Sequence, residues 1–194
     1  GSRLTLNAMS SLDVDYSESQ RRIVMRGGQA FFEVAPDIGR PFTVEAGGTT
    51  TVALGTAFDV NMNLPGDHIA ISVAAHSVRV DAARGEAGFV VGAGERVVIS
   101  PDGASDISRQ DPAVAESWRR GTYIAEARPL EEVIAALSAY YEGWIVVRGD
   151  AVKSLSVNAV LALAQPQAAL DTLAAGLPIR VRRISGYITL ITET

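Results

Sequence analysis

The chain of 194 residues contains no cysteine, only two histidines and 6% aromatic residues. The lack of cysteine excludes disulfide bonds, zinc–thiolate sites and thiol nucleophiles. The longest apolar run, Ala159–Ala164, is far shorter than the ~18 residues that a membrane-spanning helix needs. A net charge of -5 argues against a nucleic-acid partner, because displacing counterions from phosphates requires a basic surface.

The few charged clusters and histidines have structural interpretations. Arg180, Arg182 and Arg183 lie close together and are interpreted as a solvated strand face, with a local basic patch as the alternative. His68 and His76 have no acidic residues at ligand spacing, so no metal site is predicted. The sequence therefore predicts neither a metal nor another cofactor.

Acidic pairs and a glycine-rich segment are the remaining candidates for chemistry. Asp13 and Asp15 share a strand face, and the outer face of a sheet explains them more simply than a glycosidase pair does. Glu131 and Glu132 suit the first turn of a helix. The segment Gly92–Gly94 leads into a strand and not a helix, so it is not a phosphate loop. No catalytic residue follows from these patterns.

The first part of the chain, residues 1–111, is predicted to be all β. Between Leu4 and Ile107, short segments alternate apolar and polar residues and are separated by Gly, Pro or Asp turns. Such segments build a sandwich, a barrel or an irregular β-solenoid, and the pattern leaves these three open.

The second part, residues 112–194, is predicted to be α+β. Asp111 caps a short helix Pro112–Trp118, which places the domain boundary near Asp111. Two strand–helix–strand units follow, with helices that begin at Pro129 and Pro166. Gly143 is predicted to lie just past the end of the first of these helices.

Three motifs in the first part occur in a fixed order. They are Gly28-Gln-Ala-Phe-Phe-Glu-Val34, Arg40-Pro-Phe42 and Gly55-Thr-Ala-Phe-Asp-Val60. Together they resemble the extracytoplasmic domain of FecR-family anti-sigma regulators. The resemblance implies a twisted, solenoid-like or sandwich-like β domain.

The second part resembles the small STN-type domain of two βαβ units, which is also found in TonB-dependent transducers and secretins. The sequence segments Trp118–Tyr123 and Leu177–Val181 also resemble those of the FecR family. Two departures are His76, where the family has a glycine in a turn, and Asn158-Ala-Val160, where a Gly-x-Phe is usual.

The resemblance implies a periplasmic signalling region and not an enzyme. Such a region binds the signalling domain of an outer-membrane TonB-dependent transducer and relays the signal to an ECF sigma factor through regulated proteolysis, as in iron or siderophore uptake. It also implies a membrane helix upstream, and Gly1-Ser2 has the form of a cloning scar. The alternative is a carbohydrate-active enzyme or ligand-binding protein on a β-solenoid.

Two sites follow as expectations. Some family members cleave themselves at the Gly-Thr of the third motif, which makes Thr56 the candidate nucleophile after Gly55. The strand from Leu155 to Leu163 does not alternate cleanly, so apolar groups are expected on both faces and one face is expected to bind the partner. Alternatively, the first domain's edge or the helix at Trp118 covers that face. The candidate partner-binding residues are Leu155, Val157, Val160, Leu161, Leu163 and Trp118.

Overall fold

A computed structural model describes residues 1–82, 88–104 and 107–194. The chain divides into two compact units, Gly1–Glu116 and Ser117–Thr194. The boundary predicted near Asp111 precedes helix α1 (Pro112–Ala115), which the structure keeps in the first unit. Asp111 caps this helix as expected, because its side chain accepts a hydrogen bond of 2.8 Å from the backbone N–H of Ala113.

The described part of the first unit consists mainly of short strands. Their bounds are β1 (Arg3–Leu6), β2 (Ser11–Tyr16), β3 (Arg21–Gly27), β4 (Gln29–Glu33), β5 (Phe42–Ala46), β6 (Thr49–Ala53), β7 (Ala57–Asn61), β8 (Ile69–Ala75), β9 (Ser77–Asp81), β10 (Phe89–Gly92), β11 (Glu95–Ser100), β12 (Gly103–Ala104) and β13 (Ser108–Arg109). A 3₁₀ helix, Pro65–Asp67, precedes β8, and helix α1 contacts β8.

These strands form two open sheets. One has the order β1–β4–β7–β8–β11–β12, with β13 also paired to β11. The other has the order β10–β9–β6–β5–β3–β2, and its β3 and β5 run parallel. Buried residues from both sheets form one core, so the unit is sandwich-like. The mainly β class is confirmed, whereas the solenoid description stays a prediction.

The three sequence motifs meet in this core through their phenylalanines. Phe32 stacks on Phe58 with ring centroids 5.1 Å apart and meets Phe42 edge-to-face at 5.9 Å. All three side chains are fully buried. Burying one phenylalanine stabilises a fold by roughly 1.5–3 kcal/mol. The motifs therefore fix the centre of the sandwich, with one phenylalanine from each.

The chain passes between the two sheets at tight corners. Gly28 joins β3 to β4 with φ +89°, and a side chain there would collide with Ser10. His76 joins β8 to β9 with φ +62°, the left-handed conformation that glycine adopts most easily. The histidine at this position therefore takes the backbone conformation of the glycine that it replaces.

The second unit has two helices of nine or more residues and five strands within a fully described range. Its elements are a 3₁₀ helix (Ser117–Arg120), β14 (Thr122–Pro129), α2 (Leu130–Ser138), β15 (Trp144–Val147), α3 (Asp150–Lys153), β16 (Ser156–Ala162), α4 (Pro166–Gly176), β17 (Ile179–Ser185) and β18 (Ile188–Glu193).

The strands of this unit form two small sheets. β14 and β16 pair antiparallel, while the other sheet has the order β15–β18–β17, with β15 parallel to β18. Helices α2 and α4 each contact strands of both sheets. Both predicted strand–helix–strand orders are present, but the two strands that flank each helix belong to different sheets.

Two local predictions differ from the structure. The helix expected over Pro112–Trp118 ends at Ala115 and is followed by the 3₁₀ helix. Helix α2 ends at Ser138, well before Gly143. At this end of the helix the Ser138 hydroxyl donates a hydrogen bond of 2.7 Å to the Ile134 carbonyl. Tyr141 lies beyond the helix, and its hydroxyl shares a 2.7 Å hydrogen bond with Thr189.

Candidate functional site

The bond between Gly55 and Thr56 lies at a corner where the chain leaves β6 and begins β7. Gly55 has φ +148°, and a Cβ at this position would stand 3.0 Å from Cγ of Pro36. The carbonyl of Thr56 accepts a hydrogen bond of 2.8 Å from the N–H of Val34. The corner therefore requires glycine and is held in place by the neighbouring segment.

The Thr56 hydroxyl is buried and unsatisfied. The Thr56 side chain is buried, and its Oγ1 has no hydrogen-bond partner within the described part of the chain. A buried hydroxyl without a hydrogen-bond partner destabilises a fold by about 1–3 kcal/mol, so such groups are rare and often have a functional role. Its oxygen lone pairs are not engaged by a neighbouring donor among the described residues.

Strand β16, predicted to carry the partner surface, is buried along one face. Val157, Leu161 and Leu163 are buried, and β16 contacts both α2 and α4. Trp118 is buried as well. These four side chains are core residues, which corrects their assignment to an exposed apolar surface. The burial of Val157 and Leu161 follows from the contacts of β16 with α2 and α4.

Two of the predicted partner residues keep access to solvent. The side chain of Val160 is 68% exposed, and Leu155, just before β16, is half-buried. Val160 pairs with Ile124 of β14, on the face of the two-stranded sheet away from the helices. Nearby, the Asn158 side chain accepts a hydrogen bond of 2.9 Å from the N–H of Ala127 and holds a bulge in β14. The predicted strand therefore offers one large exposed apolar side chain, that of Val160.

A larger exposed apolar surface lies on the three-stranded sheet, and the sequence did not reveal it. Trp144 is 73% exposed, Val146 44% and Ile188 40%. Trp144 pairs with Ile188, and Val146 pairs with half-buried Leu190. We call these four residues the Trp144 face. The segment Trp144–Val147 is entirely apolar, so its sequence carries no sign of which side chains point outward.

Three arginines border the Trp144 face. Arg182 pairs with Leu190 and Arg180 with Thr192 across β17 and β18, and Arg148 follows the end of β15. All three are exposed, and none forms an ion pair or side-chain hydrogen bond within the described residues. Arg183, in contrast, makes a 2.9 Å salt bridge to Asp171 of α4. The arginine cluster of the sequence is thus divided between the two faces of its strand.

Three acidic residues of the first unit, Asp13, Asp15 and Glu45, form ion pairs on the outer face of the second sheet. Asp13 pairs with Arg26 at 2.6 Å, and Asp15 lies 3.5 Å from Arg22. Arg22 also makes two short hydrogen bonds of 2.6 and 2.7 Å to Glu45, which lower the pKa of that carboxyl group. This agrees with the interpretation of Asp13 and Asp15 as surface residues.

The described residues provide neither a metal-ligand cluster nor a membrane-spanning helix. Over 1–82, 88–104 and 107–194, no three acidic or histidine side chains come together as metal ligands. Nor does any helix in these ranges have the length and apolar character needed to cross a membrane.

Most of the first unit matches a known family. Residues 1–79 match the family model for FecR protein. This segment is similar to a FecR domain. The match includes the three phenylalanine motifs and ends within β9, so the resemblance inferred from these motifs is confirmed.

The fold of the whole chain also has solved counterparts. Two crystal structures, at 1.65 and 2.50 Å resolution, of a candidate anti-sigma factor from Parabacteroides distasonis ATCC 8503 superpose with TM-scores of 0.89 and 0.87. Each comparison covers 100% of this chain and 91% of the other, at 23% sequence identity. At that identity the likeness concerns the fold. No curated protein matches the chain.

Proposed function

We propose that the chain is a signalling region of an anti-sigma regulator. The observation that carries this proposal is the match of residues 1–79 to the FecR family. The fold likeness to a candidate anti-sigma factor, which covers the whole chain, supports it further. The regulatory partner in this class is a sigma factor, controlled from a distance by the state of the region described here.

The second unit is proposed to be an STN-like domain that receives the signal. Two helices that each contact a two-stranded and a three-stranded sheet support this proposal. The three-stranded sheet carries a group of exposed apolar side chains on the face away from the helices, and exposed apolar surface of this kind marks sites of protein recognition. Its partner is then the signalling domain of a TonB-dependent transducer, in a pathway such as siderophore uptake.

The proposed location is the periplasm, with a membrane anchor and a sigma-binding segment elsewhere in the full protein. This rests on the FecR family assignment of residues 1–79. The alternative of a carbohydrate-active enzyme has less support. Its best acid pair, Asp13 and Asp15, lies on the exposed outer face of a sheet, where each carboxylate is paired with an arginine, whereas a glycosidase acid needs a buried site.

We also propose that the chain cleaves itself between Gly55 and Thr56. The unsatisfied, buried Thr56 hydroxyl and the glycine-only backbone before it support this proposal. The hydroxyl oxygen attacks the Gly55 carbonyl carbon, the peptide C–N bond breaks, and the nitrogen takes a proton to become a free amine. Water then hydrolyses the ester, which leaves a Gly55 carboxylate and restores the threonine hydroxyl.

The binding function is tested by titration calorimetry with purified signalling domains from all TonB-dependent transducers of the source organism. We expect one of them to bind stoichiometrically and to elute together with the chain in gel filtration. If no domain of the complete set gives heat or a complex, the proposed function is wrong.

A further inference from the structure

The Trp144 face is a group of large apolar side chains that are exposed to solvent, whereas such side chains are usually buried in a sheet. Trp144, Val146 and Ile188 lie side by side on two paired strands and are all exposed. Tryptophan has few rotatable bonds and a large apolar surface, and it is enriched among the residues that dominate binding energy. An exposed tryptophan with adjacent aliphatic side chains is therefore the strongest docking candidate on the second unit.

The charge around this face indicates the kind of partner. The chain as a whole is acidic, but residues 117–194 hold eight basic and seven acidic side chains, while residues 1–116 hold nine and fifteen. Arg148 at the end of β15 and Arg180 and Arg182 on β17 border the apolar centre and have no ion-pair partners among the described residues. An apolar centre with an unpaired basic rim is complementary to an apolar surface with an acidic rim.

The edge of the sheet beside Trp144 is open. The N–H groups of Trp144 and Arg148 bond to the carbonyls of Tyr187 and Ile191 at 2.6 and 2.9 Å, so they point toward β18. Backbone N–H groups alternate in direction along an extended strand, so those of Ile145 and Val147 point away from β18. On that side β15 has no hydrogen-bonded strand among the described residues. An incoming strand can therefore pair with Ile145 and Val147.

We propose that the Trp144 face is the docking surface for an acidic β-strand of the transducer signalling domain. The strand pairs with the open edge of β15, its apolar side chains contact Trp144 and Val146, and a carboxylate near its end reaches Arg148. Acidic residues on the part of the signalling domain that overlies the sheet reach Arg180 and Arg182. This inference rests on the proposed function and places the interface on the three-stranded sheet, opposite the predicted Val160 surface.

The test measures binding of the signalling domain identified by the calorimetric titration. Trp144→Ala removes the apolar centre, and the double variant Arg180→Glu, Arg182→Glu reverses the rim. We expect each to weaken binding by at least about 30-fold, as for residues that dominate an interface. The affinity of the unaltered chain should fall with added salt, and the double variant should lose that dependence. All altered side chains are exposed, so the melting temperature should change little.

Matched controls separate this inference from the proposed function. Val160→Asp alters the exposed face of the other sheet, and Arg109→Glu makes a single charge reversal of the same kind at an exposed position of the first unit. Both should bind within about twofold of the unaltered chain, as expected for surface changes outside an interface. If Val160→Asp abolishes binding while Trp144→Ala does not, the docking surface is wrong and the proposed function stands. If no signalling domain binds, both fail.

A second copy of this chain is the competing occupant. Light scattering coupled to gel filtration measures the oligomeric state directly. We expect a monomer with or without Trp144→Ala. A dimer that Trp144→Ala dissociates would assign the face to self-association and overturn the proposal.

Discussion

The main chain of Tyr187 occupies the space that a side chain on Gly143 would need. A Cβ built on Gly143 would overlap the Tyr187 carbonyl, and Gly143 has φ +138°. The next residue, Trp144, donates its N–H to the same carbonyl at 2.6 Å. Gly143 was predicted to follow a helix end, but its structural role is different: the absence of a side chain lets β15 approach β18 closely.

Gly143→Ala should destabilise the second unit. The added methyl group must displace Tyr187 or distort the backbone, which we expect to destabilise the fold by about 1–3 kcal/mol. The control is Gly176→Ala at the end of α4, where a Cβ meets no atom within 4 Å. Alanine is favoured over glycine in helices, so this control should be neutral or slightly stabilising. Equal denaturant midpoints for both variants would contradict the account of Gly143.

Leu161 and Val160 are neighbours in β16 with opposite environments. Leu161 is 2% exposed, whereas Val160 points away from the helices. Leu161→Asp should destabilise the second unit by about 3 kcal/mol or more, because it places a charge in the core. Val160→Asp should change stability by about 0.5 kcal/mol or less. Denaturant unfolding of both variants makes the comparison, and a similar loss in each would contradict the assigned register.

The sequence predicted the first unit well because its strands are half-buried. In β3, β5 and β6, buried and partly exposed residues alternate, and this alternation is visible in the sequence. Phe42 lies at a core position of β5 for this reason. Local pattern was sufficient for these three strands, whereas β4 and β7, which carry Phe32 and Phe58, each bury three consecutive residues.

The candidate binding surface could not be predicted in the same way. The segments Ala159–Leu163 and Trp144–Val147 are apolar at every position, so alternation gives no sign of which face is buried. Which side chains are buried is determined by pairing with strands that are distant in the sequence. β16 pairs with β14, and β15 pairs with β18. Such long-range pairing leaves no local signal, which is why the exposure of Trp144 emerged only from the structure.

His76 holds a left-handed backbone conformation at the corner between β8 and β9. Non-glycine residues pay about 1–2 kcal/mol for this conformation. Glycine would remove that strain but loses more entropy on folding, about 0.5–1 kcal/mol. His76→Gly should therefore stabilise the first unit by up to about 1 kcal/mol, whereas Ser77→Gly at the start of β9 should destabilise it. A lower melting temperature for His76→Gly would show that the imidazole makes a contribution of its own.

The ion pair between Arg22 and Glu45 should make the first unit sensitive to acid. Hydrogen bonds and the charge of Arg22 lower the pKa of Glu45 below its usual 4.5. A lowered pKa in the folded state stabilises the protein above the unfolded pKa, and this stabilisation disappears as the pH falls through the folded value. Glu45→Gln should lower the melting temperature at pH 7, and the difference should disappear as the pH falls through the lowered pKa of Glu45. A difference that is independent of pH would exclude the ion pair as its cause.

Self-cleavage at Gly55–Thr56 predicts two fragments, 1–55 and 56–194, on a denaturing gel. Intact mass should show that their summed mass exceeds that of the uncut chain by one water. The fragments should still elute together under native conditions, because β4 pairs with β7 and β6 pairs with β9 across the break. Thr56→Ala should abolish cleavage, because alanine has no hydroxyl to attack the Gly55 carbonyl. It should leave the fold intact, because the lost hydroxyl has no hydrogen-bond partner among the described residues.

The conservative variant Thr56→Ser decides whether the hydroxyl acts as a nucleophile. Serine keeps the oxygen and loses the methyl group, so cleavage should persist, with a rate altered by the looser positioning of the side chain. A contaminating protease would instead cut Thr56→Ala as well, and the rate would depend on the purity of the preparation. A single intact species after prolonged incubation would exclude the reaction. The unsatisfied Thr56 hydroxyl would then be a cost of the corner that Gly55 requires.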